Sequence, residues 1–168
     1  MKTLISKEEV EKIVSGLARE INQDYAEREV VLIGVLKGAV FFLADLALQI
    51  NIPLQIDFVE ASSYKGTQSS GEVTFRKDIS THIAGRDVLI VEDIVDTGRT
   101  IREVKKRLEE RGPSSLKVVT FLDKPSQREV DVKIDYVGRE IEDVFVVGYG
   151  MDYEGEYRNL GEVKIFEE

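Results

Sequence analysis

The stretch VVLIGVL, residues 30–36, is apolar without a break, and no other feature of the sequence constrains the fold as strongly. A strand with one face in water alternates apolar and polar residues, whereas a strand covered on both faces reads as a continuous apolar run. Similar runs follow at VLIV (88–91), LKVVTFL (116–122) and VFVVGYG (144–150), the last expected to be the final core strand before an irregular tail. LQIDFVEASSY (54–64) reads as a further strand. Helical patterns separate these runs. Ser6 and Glu9 have the spacing of a capping box, opening a helix to about Glu20. Ile101, Val104 and Leu108 form an apolar stripe closed by Gly112 and Pro113. Alternating strands and helices predict an α/β fold, a mostly parallel sheet flanked by helices. No repeat or linker divides the 168 residues, which read as a single domain, 1–168.

AVFFLADLALQI (39–50) is a helix with only Asp45 and Gln49 as polar interruptions. Such a helix wants cover on every side, and a chain of this size has few elements to provide it. A subunit interface is expected there, in a homodimer or homotetramer. KGTQSSG (65–71) is small, polar and bounded by glycine, the composition of a mobile loop.

The net charge of −9 argues against nucleic acid as a partner, since no broad basic surface can form. An anionic ligand must then be met locally. No cysteine is present, which removes disulfides and thiolate metal sites and fits a reducing compartment. No apolar run approaches the ~18 residues of a membrane span, so the reading is cytoplasmic with no membrane partner. The one histidine, His82, sits in a polar segment and is not assigned a role.

In open α/β sheets ligands bind beyond the carboxyl ends of the strands. Four such ends carry polar or basic residues here: Lys37-Gly38, Glu92-Asp93, Lys124 and Asp152. Asp96-Thr97-Gly98-Arg99-Thr100 joins a strand to a helix. Glycine, two hydroxyls and the free amides of a helix N-terminus make a phosphate cradle. It is not a P-loop, because GxxxxGK[ST] does not occur. Two adjacent acids beside such a cradle would repel a phosphate unless they face a divalent cation or sugar hydroxyls. A Mg²⁺-bound, hydroxyl-bearing phosphorylated ligand satisfies both conditions.

VLIVEDIVDTGRT (88–100) resembles the phosphoribosyl-pyrophosphate signature of the type I phosphoribosyltransferases. LKG (36–38), SSYKGTQSSG (62–71), LDKP (122–125) and FVVGYGMDYEGEYRNL (145–160) resemble, in order, segments of the hypoxanthine-guanine phosphoribosyltransferases. The resemblance implies the type I fold, with a small hood built from both chain ends. It implies purine salvage: Mg²⁺-dependent transfer of a 5-phosphoribosyl group from phosphoribosyl pyrophosphate to N9 of a 6-oxopurine base. Regulators of the same fold usually add a DNA-binding domain or a basic RNA-binding face, and this acidic sequence carries neither. A xanthine-, adenine- or pyrimidine-specific transferase is the enzymatic alternative.

Matched residue by residue, the resemblance gives Asp96 the place of the general acid/base near purine N7. Glu92, Asp93 and Asp152 match acids facing the ribose hydroxyls and Mg²⁺. Thr97, Gly98, Arg99, Thr100 and Ile101 match the 5′-phosphate loop, with Arg99 equally readable as a solvent-facing side chain. Lys37, Gly38 and Arg158 match the pyrophosphate site, where the family often has a cis peptide between the Leu and Lys positions. Lys124 matches the reader of purine O6, Phe145 and Val146 line the base, and Asp152 lies on its C2 side. Ser63 and Tyr64 match a pair on the loop that closes over the site. As a rival, Asp96 reads as a cap of the following helix, and Val146 as plain core.

Overall fold

The computed structural model describes residues 1–63 and 72–167. Its elements in chain order are β1 (Lys2–Ile5), α1 (Lys7–Asp24), β2 (Val30–Leu36), α2 (Val40–Gln49), β3 (Leu54–Ser63), β4 (Val73–Lys77), β5 (Asp87–Val95), α3 (Arg99–Glu109), β6 (Ser115–Asp123), β7 (Tyr136–Glu140), β8 (Val146–Val147) and β9 (Val163–Ile165). Six strands form the central sheet in the order β4-β3-β2-β5-β6-β7. All neighbours in it are parallel except β3 and β4.

The apolar runs sit where their composition places them. Side chains of β2 and β5 alternate between two separate cores. Leu32, Leu89 and Val91 pack with α1 and α2, while Val31, Ile33, Val88 and Ile90 pack with Ile101, Val104 and Leu108 of α3. Both faces of the sheet are therefore covered, as an unbroken apolar strand requires. The capping box at Ser6 forms in both directions, Glu9 N–H to Ser6 Oγ at 3.2 Å and Ser6 N–H to Glu9 Oε2 at 2.8 Å. α1 runs past Glu20 to Asp24, because Ile21 continues its buried face.

VFVVGYG is not a core strand. Only Val146 and Val147 are extended, and they belong to a second, three-stranded antiparallel sheet, β1-β9-β8, made from both chain ends. Gly148 and Gly150, both at φ +99°, and Tyr149 at φ +49° turn the chain out of the strand at once. Their apolar character serves a different contact. Tyr149 is buried against Phe121 at 4.8 Å between ring centroids, and its hydroxyl donates to Asp45 Oδ2 at 2.6 Å. That bond gives one polar interruption of α2 its partner. The other, Gln49, accepts from the Ser15 hydroxyl at 2.9 Å. Val40, Phe41 and Leu48 stay exposed, so α2 is covered on one side within the chain. The stretch 65–71, read as a loop, lies outside the described residues.

Candidate active site

β5 does not stop at the acids. It runs to Val95, paired with β6 as far as Val95–Asp123, so Glu92 and Asp93 lie inside a sheet strand. That is why Glu92 is only 6 % exposed. Burial first, and then the neighbouring Asp93 charge, push its carboxyl well above the usual carboxylate range. Burial also raises Asp93. Adjacent acids at such a depth mark a place built for a counter-charge or for hydroxyl donors.

Glycine brings three segments together around Asp93. The peptide between Leu36 and Lys37 is cis, and Gly38 follows it. A Cβ on Gly38 would overlap the Asp93 carboxylate, and a Cβ on Gly150 would overlap the Gly38 carbonyl oxygen. The turn after β2, the acids of β5 and the 148–152 loop thus meet backbone to side chain, with no room between them. Arg158 braces the same loop, donating to the Gly150 carbonyl at 2.5 Å and pairing with Asp152 at 3.0 Å. Asp152 also accepts the Gly155 N–H at 2.7 Å.

Asp96 leaves the sheet at the start of the loop to α3. Its carboxylate accepts the Thr97 N–H at 2.6 Å and does not cap the helix. The cap is Gly98, at φ +82°, which has no side chain to accept with. The Arg99 N–H donates to the Thr97 hydroxyl at 3.3 Å, and the remaining amides of a helix's first turn are the kind of donors that receive a phosphate.

Two cavities open here. One, of about 300 Å³, is lined by Lys37, Gly38, Ser63, Glu92, Gly98, Thr100, Ile101 and Arg158, among others. The second, of about 280 Å³, is lined by Lys124, Gln127, Asp143, Phe145, Val146 and Met151. Asp93, Ile94, Asp96 and Asp152 border both. Lys124, 8 % exposed, follows the sheet's last residue, its N–H donating to the Val95 carbonyl at 2.9 Å. Phe145 is half exposed, standing edge-on to Tyr153 and Phe166. Val146 is buried, yet it reaches the second cavity.

Thr97 and Arg99 line neither cavity, and the Arg99 guanidinium pairs with Glu129 at 2.6 Å. His82 lines neither cavity. Tyr64 lies outside the described residues. Sequence reading did not find Ile94, Gln127, Asp143 or Met151 in the second cavity. Each is a single residue without spacing or charge pattern to mark it.

Residues 2–154 match the phosphoribosyl transferase domain family. A hypoxanthine-guanine phosphoribosyltransferase of Bacillus subtilis is 49 % identical over 160 residues, 95 % of this chain and 89 % of that protein. One from Staphylococcus epidermidis is 46 % identical over 158 residues, 94 % of this chain and 88 % of its own length. A crystal structure of a hypoxanthine-guanine phosphoribosyltransferase from Bacillus anthracis, with a HEPES molecule in the active site, superposes with a TM-score of 0.95 at 43 % identity, covering 99 % of each chain. With the family match over residues 2–154 and relatives at 43–49 % identity over nearly the whole chain, the chain belongs to the phosphoribosyltransferase family, in its hypoxanthine-guanine group.

Proposed function

We propose that the protein transfers a 5-phosphoribosyl group from phosphoribosyl pyrophosphate to N9 of hypoxanthine or guanine, releasing pyrophosphate. The observation that carries this reading is the pair of cavities meeting at Asp93, Asp96 and Asp152. One has amides and cations suited to phosphates; the other has a buried lysine and an aromatic edge suited to a base. The bond from C1′ to the pyrophosphate oxygen breaks as N9 bonds C1′. Asp96, on the shared wall, takes or holds the ring proton at N7. Asp96 and, once a cation or the ribose hydroxyls offset their burial, Glu92 and Asp93 place negative charge where C1′ turns cationic, which favours the transition state. Gly98, Thr100 and Ile101 receive the 5′-phosphate, and Thr97 and Arg99 shape that loop, the Thr97 hydroxyl accepting the Arg99 N–H at 3.3 Å. Gly38, Lys37 and Arg158 receive the pyrophosphate, and Ser63 lines the same cavity.

A Mg²⁺ ion suits the donor set. Among the described residues no cluster of three or more His, Cys, Asp or Glu forms an all-protein cage. Mg²⁺ keeps several waters and is commonly held by one or two carboxylates plus substrate phosphates. Asp93 and Asp152, bordering both cavities, would supply these with Glu92 behind them. Bound there, the ion neutralises the leaving pyrophosphate.

Lys124 decides between bases. An ammonium only donates, so it pairs with a 6-oxo group and cannot pair with the amine of adenine. The exposed Val40, Phe41 and Leu48 of α2 are the surface proposed for a homodimer or homotetramer, which sedimentation at micromolar concentration checks. No described helix is long and apolar enough to cross a membrane, in keeping with a cytoplasmic salvage enzyme. The deciding experiment is pyrophosphate release from phosphoribosyl pyrophosphate with a panel of free bases, with Mg²⁺ and with excess EDTA. Turnover is expected with hypoxanthine and guanine, only with Mg²⁺. Adenine accepted as readily as hypoxanthine would overturn the base assignment, and full turnover in EDTA the metal role.

A further inference from the structure

Asp96 and Lys124 each sit one residue beyond the last pair of the β5–β6 ladder, on separate strands. The reading above asks them to contact N7 and O6, neighbouring atoms on one edge of a rigid ring. Two groups serving one rigid edge have to be held in register to within about 0.5 Å. One backbone bond runs past that pair, Lys124 N–H to the Val95 carbonyl at 2.9 Å, and it ties Lys124 to β5 but leaves Asp96 to a further contact.

Arg128 spans the gap. Its guanidinium donates to Asp123 Oδ1 at 2.6 Å and to the backbone carbonyl of Asp96 at 3.0 Å. Asp123 is buried, 5 % exposed, and immediately precedes Lys124. One planar cation therefore bonds the residue before the lysine and the backbone of the aspartate. The chain on either side reinforces this clasp. Lys124 carbonyl accepts the Gln127 N–H at 3.0 Å, folding residues 124–127 into a tight turn that returns Arg128 to β5. The next two amides, Glu129 and Val130, both donate to the Thr97 carbonyl, at 3.0 and 3.3 Å. Val130 and Val132 lie over the Cα of Gly98, where any Cβ would press on them. The guanidinium itself lines neither cavity.

We propose that Arg128 is a positioning residue for the transfer: by bridging Asp123 and the Asp96 backbone, it holds the Asp96 carboxylate in register with the Lys124 ammonium across the base cavity. The inference rests on the roles given above to those two residues. A guanidinium offers several donors in a fixed plane, which a lysine ammonium does not reproduce. Bridging by geometry and bridging by charge are thus separable.

Steady-state kinetics in a double-mutant cycle test it. Arg128→Met should lower kcat with hypoxanthine by ~10–10²-fold, the cost of a small misplacement, while the donor KM moves by less than about threefold. In the Asp96→Asn background the same change should cost less than about twofold, because the group it positions is already disabled. Arg128→Lys should recover thermal stability and leave kcat low. Should Arg128→Met fail to fold, Asp123→Asn loosens the same bridge and enters the same cycle. Multiplying effects in the double variant, or kcat restored by lysine, would overturn the proposal. So would wild-type turnover by Arg128→Met while Asp96→Asn is slow, and that result leaves the role of Asp96 standing. Wild-type turnover by Asp96→Asn would remove the role of Asp96 and this inference with it.

Discussion

The donor-side cavity is framed mainly by residues 36–38, 61–63 and 92–96 and by Gly98, Thr100 and Ile101, at the ends of β2, β3 and β5 in the central sheet, whereas the base-side cavity gathers Lys124, Gln127, Asp143, Phe145, Val146 and Met151 from turns and a two-residue strand. The first is rigid because its backbone is locked by neighbours: Gly38 has the Asp93 carboxylate against it on one side and Gly150 against its carbonyl on the other. The second is held by side chains, through the Tyr149–Asp45 hydrogen bond and the Phe145, Tyr153 and Phe166 ring contacts. A phosphate chain is the same in every reaction of this kind and rewards fixed backbone donors. A base is read at a few atoms, which single side chains can do.

Gly38→Ala should produce the largest effect and confine it to the donor side. The new methyl displaces the Asp93 carboxylate or the turn itself, and a displacement near 1 Å costs on the order of 10²-fold in kcat/KM. Pyrophosphate and donor binding should weaken while the KM for hypoxanthine stays near normal. Gly16→Ala is the control: a Cβ there meets nothing, and within α1 alanine should add about 0.5–1 kcal/mol of stability. Equal losses for donor and base in Gly38→Ala would show that the two cavities are not mechanically distinct.

This contrast also explains what the sequence reveals. Donor-side residues stand in contiguous segments because strand, acids and loop are consecutive in the chain. VLIVEDIVDTGRT therefore displays strand, acid pair and cradle together. The sheet and its double-sided cover were legible for the same reason, since seven apolar residues in a row admit few other structures. Val144 to Gly150 misled because burial and strand look alike in an apolar run. There the apolar side chains fill space beneath the hood, and glycines at φ +99° end the extended backbone after two residues. β1, β4, β7 and β9 are three to five residues long, too short for periodicity to declare them. Gln127, Asp143 and Met151 reach the base cavity only through tertiary placement. Nothing in the sequence marks Arg128, whose role comes only from having Asp123 and the Asp96 carbonyl on either side of it.

Lys124→Met should act on the base side alone and more weakly. It removes one charged donor to O6, a loss of about 1–3 kcal/mol or roughly 5- to 150-fold in kcat/KM for hypoxanthine. The gap to adenine should narrow, because the donor that favours a 6-oxo group over an amine is gone. Competition kinetics with the two bases measure this ratio directly. An unchanged ratio would move base discrimination from Lys124 to cavity shape.

Tyr149→Phe should be the smallest change, and it probes how the hood is tied to the sheet. The ring against Phe121 is kept, and only the hydroxyl bonded to Asp45 is lost. That costs about 0.5–1.5 kcal/mol, or roughly 1–6 °C in Tm for a chain of this size. Donor and base KM values should stay within about twofold, since the rest of the 148–152 loop remains braced by Arg158. The pH dependence separates this bond from simple packing. Burial first, and then the bond to Asp45, raise the Tyr149 hydroxyl far above its ordinary value. Its folded pKa then exceeds the unfolded value of about 10, so above that pH the folded state holds a proton that the unfolded state releases. The stabilisation is complete below about pH 10 and falls as pH rises toward the folded pKa, by up to about 1.4 kcal/mol per pH unit. Tyr136, raised by burial and its bond to Asp24, and Tyr25, pushed up to about 12 mainly by burial, add to the same alkaline decline and remain in the variant. Denaturant melts at pH 8 and pH 11 should therefore show a shallower loss of stability in Tyr149→Phe than in the wild type. Equal losses would mean that Tyr149 ionises as readily folded as unfolded, and that packing alone joins the hood to α2.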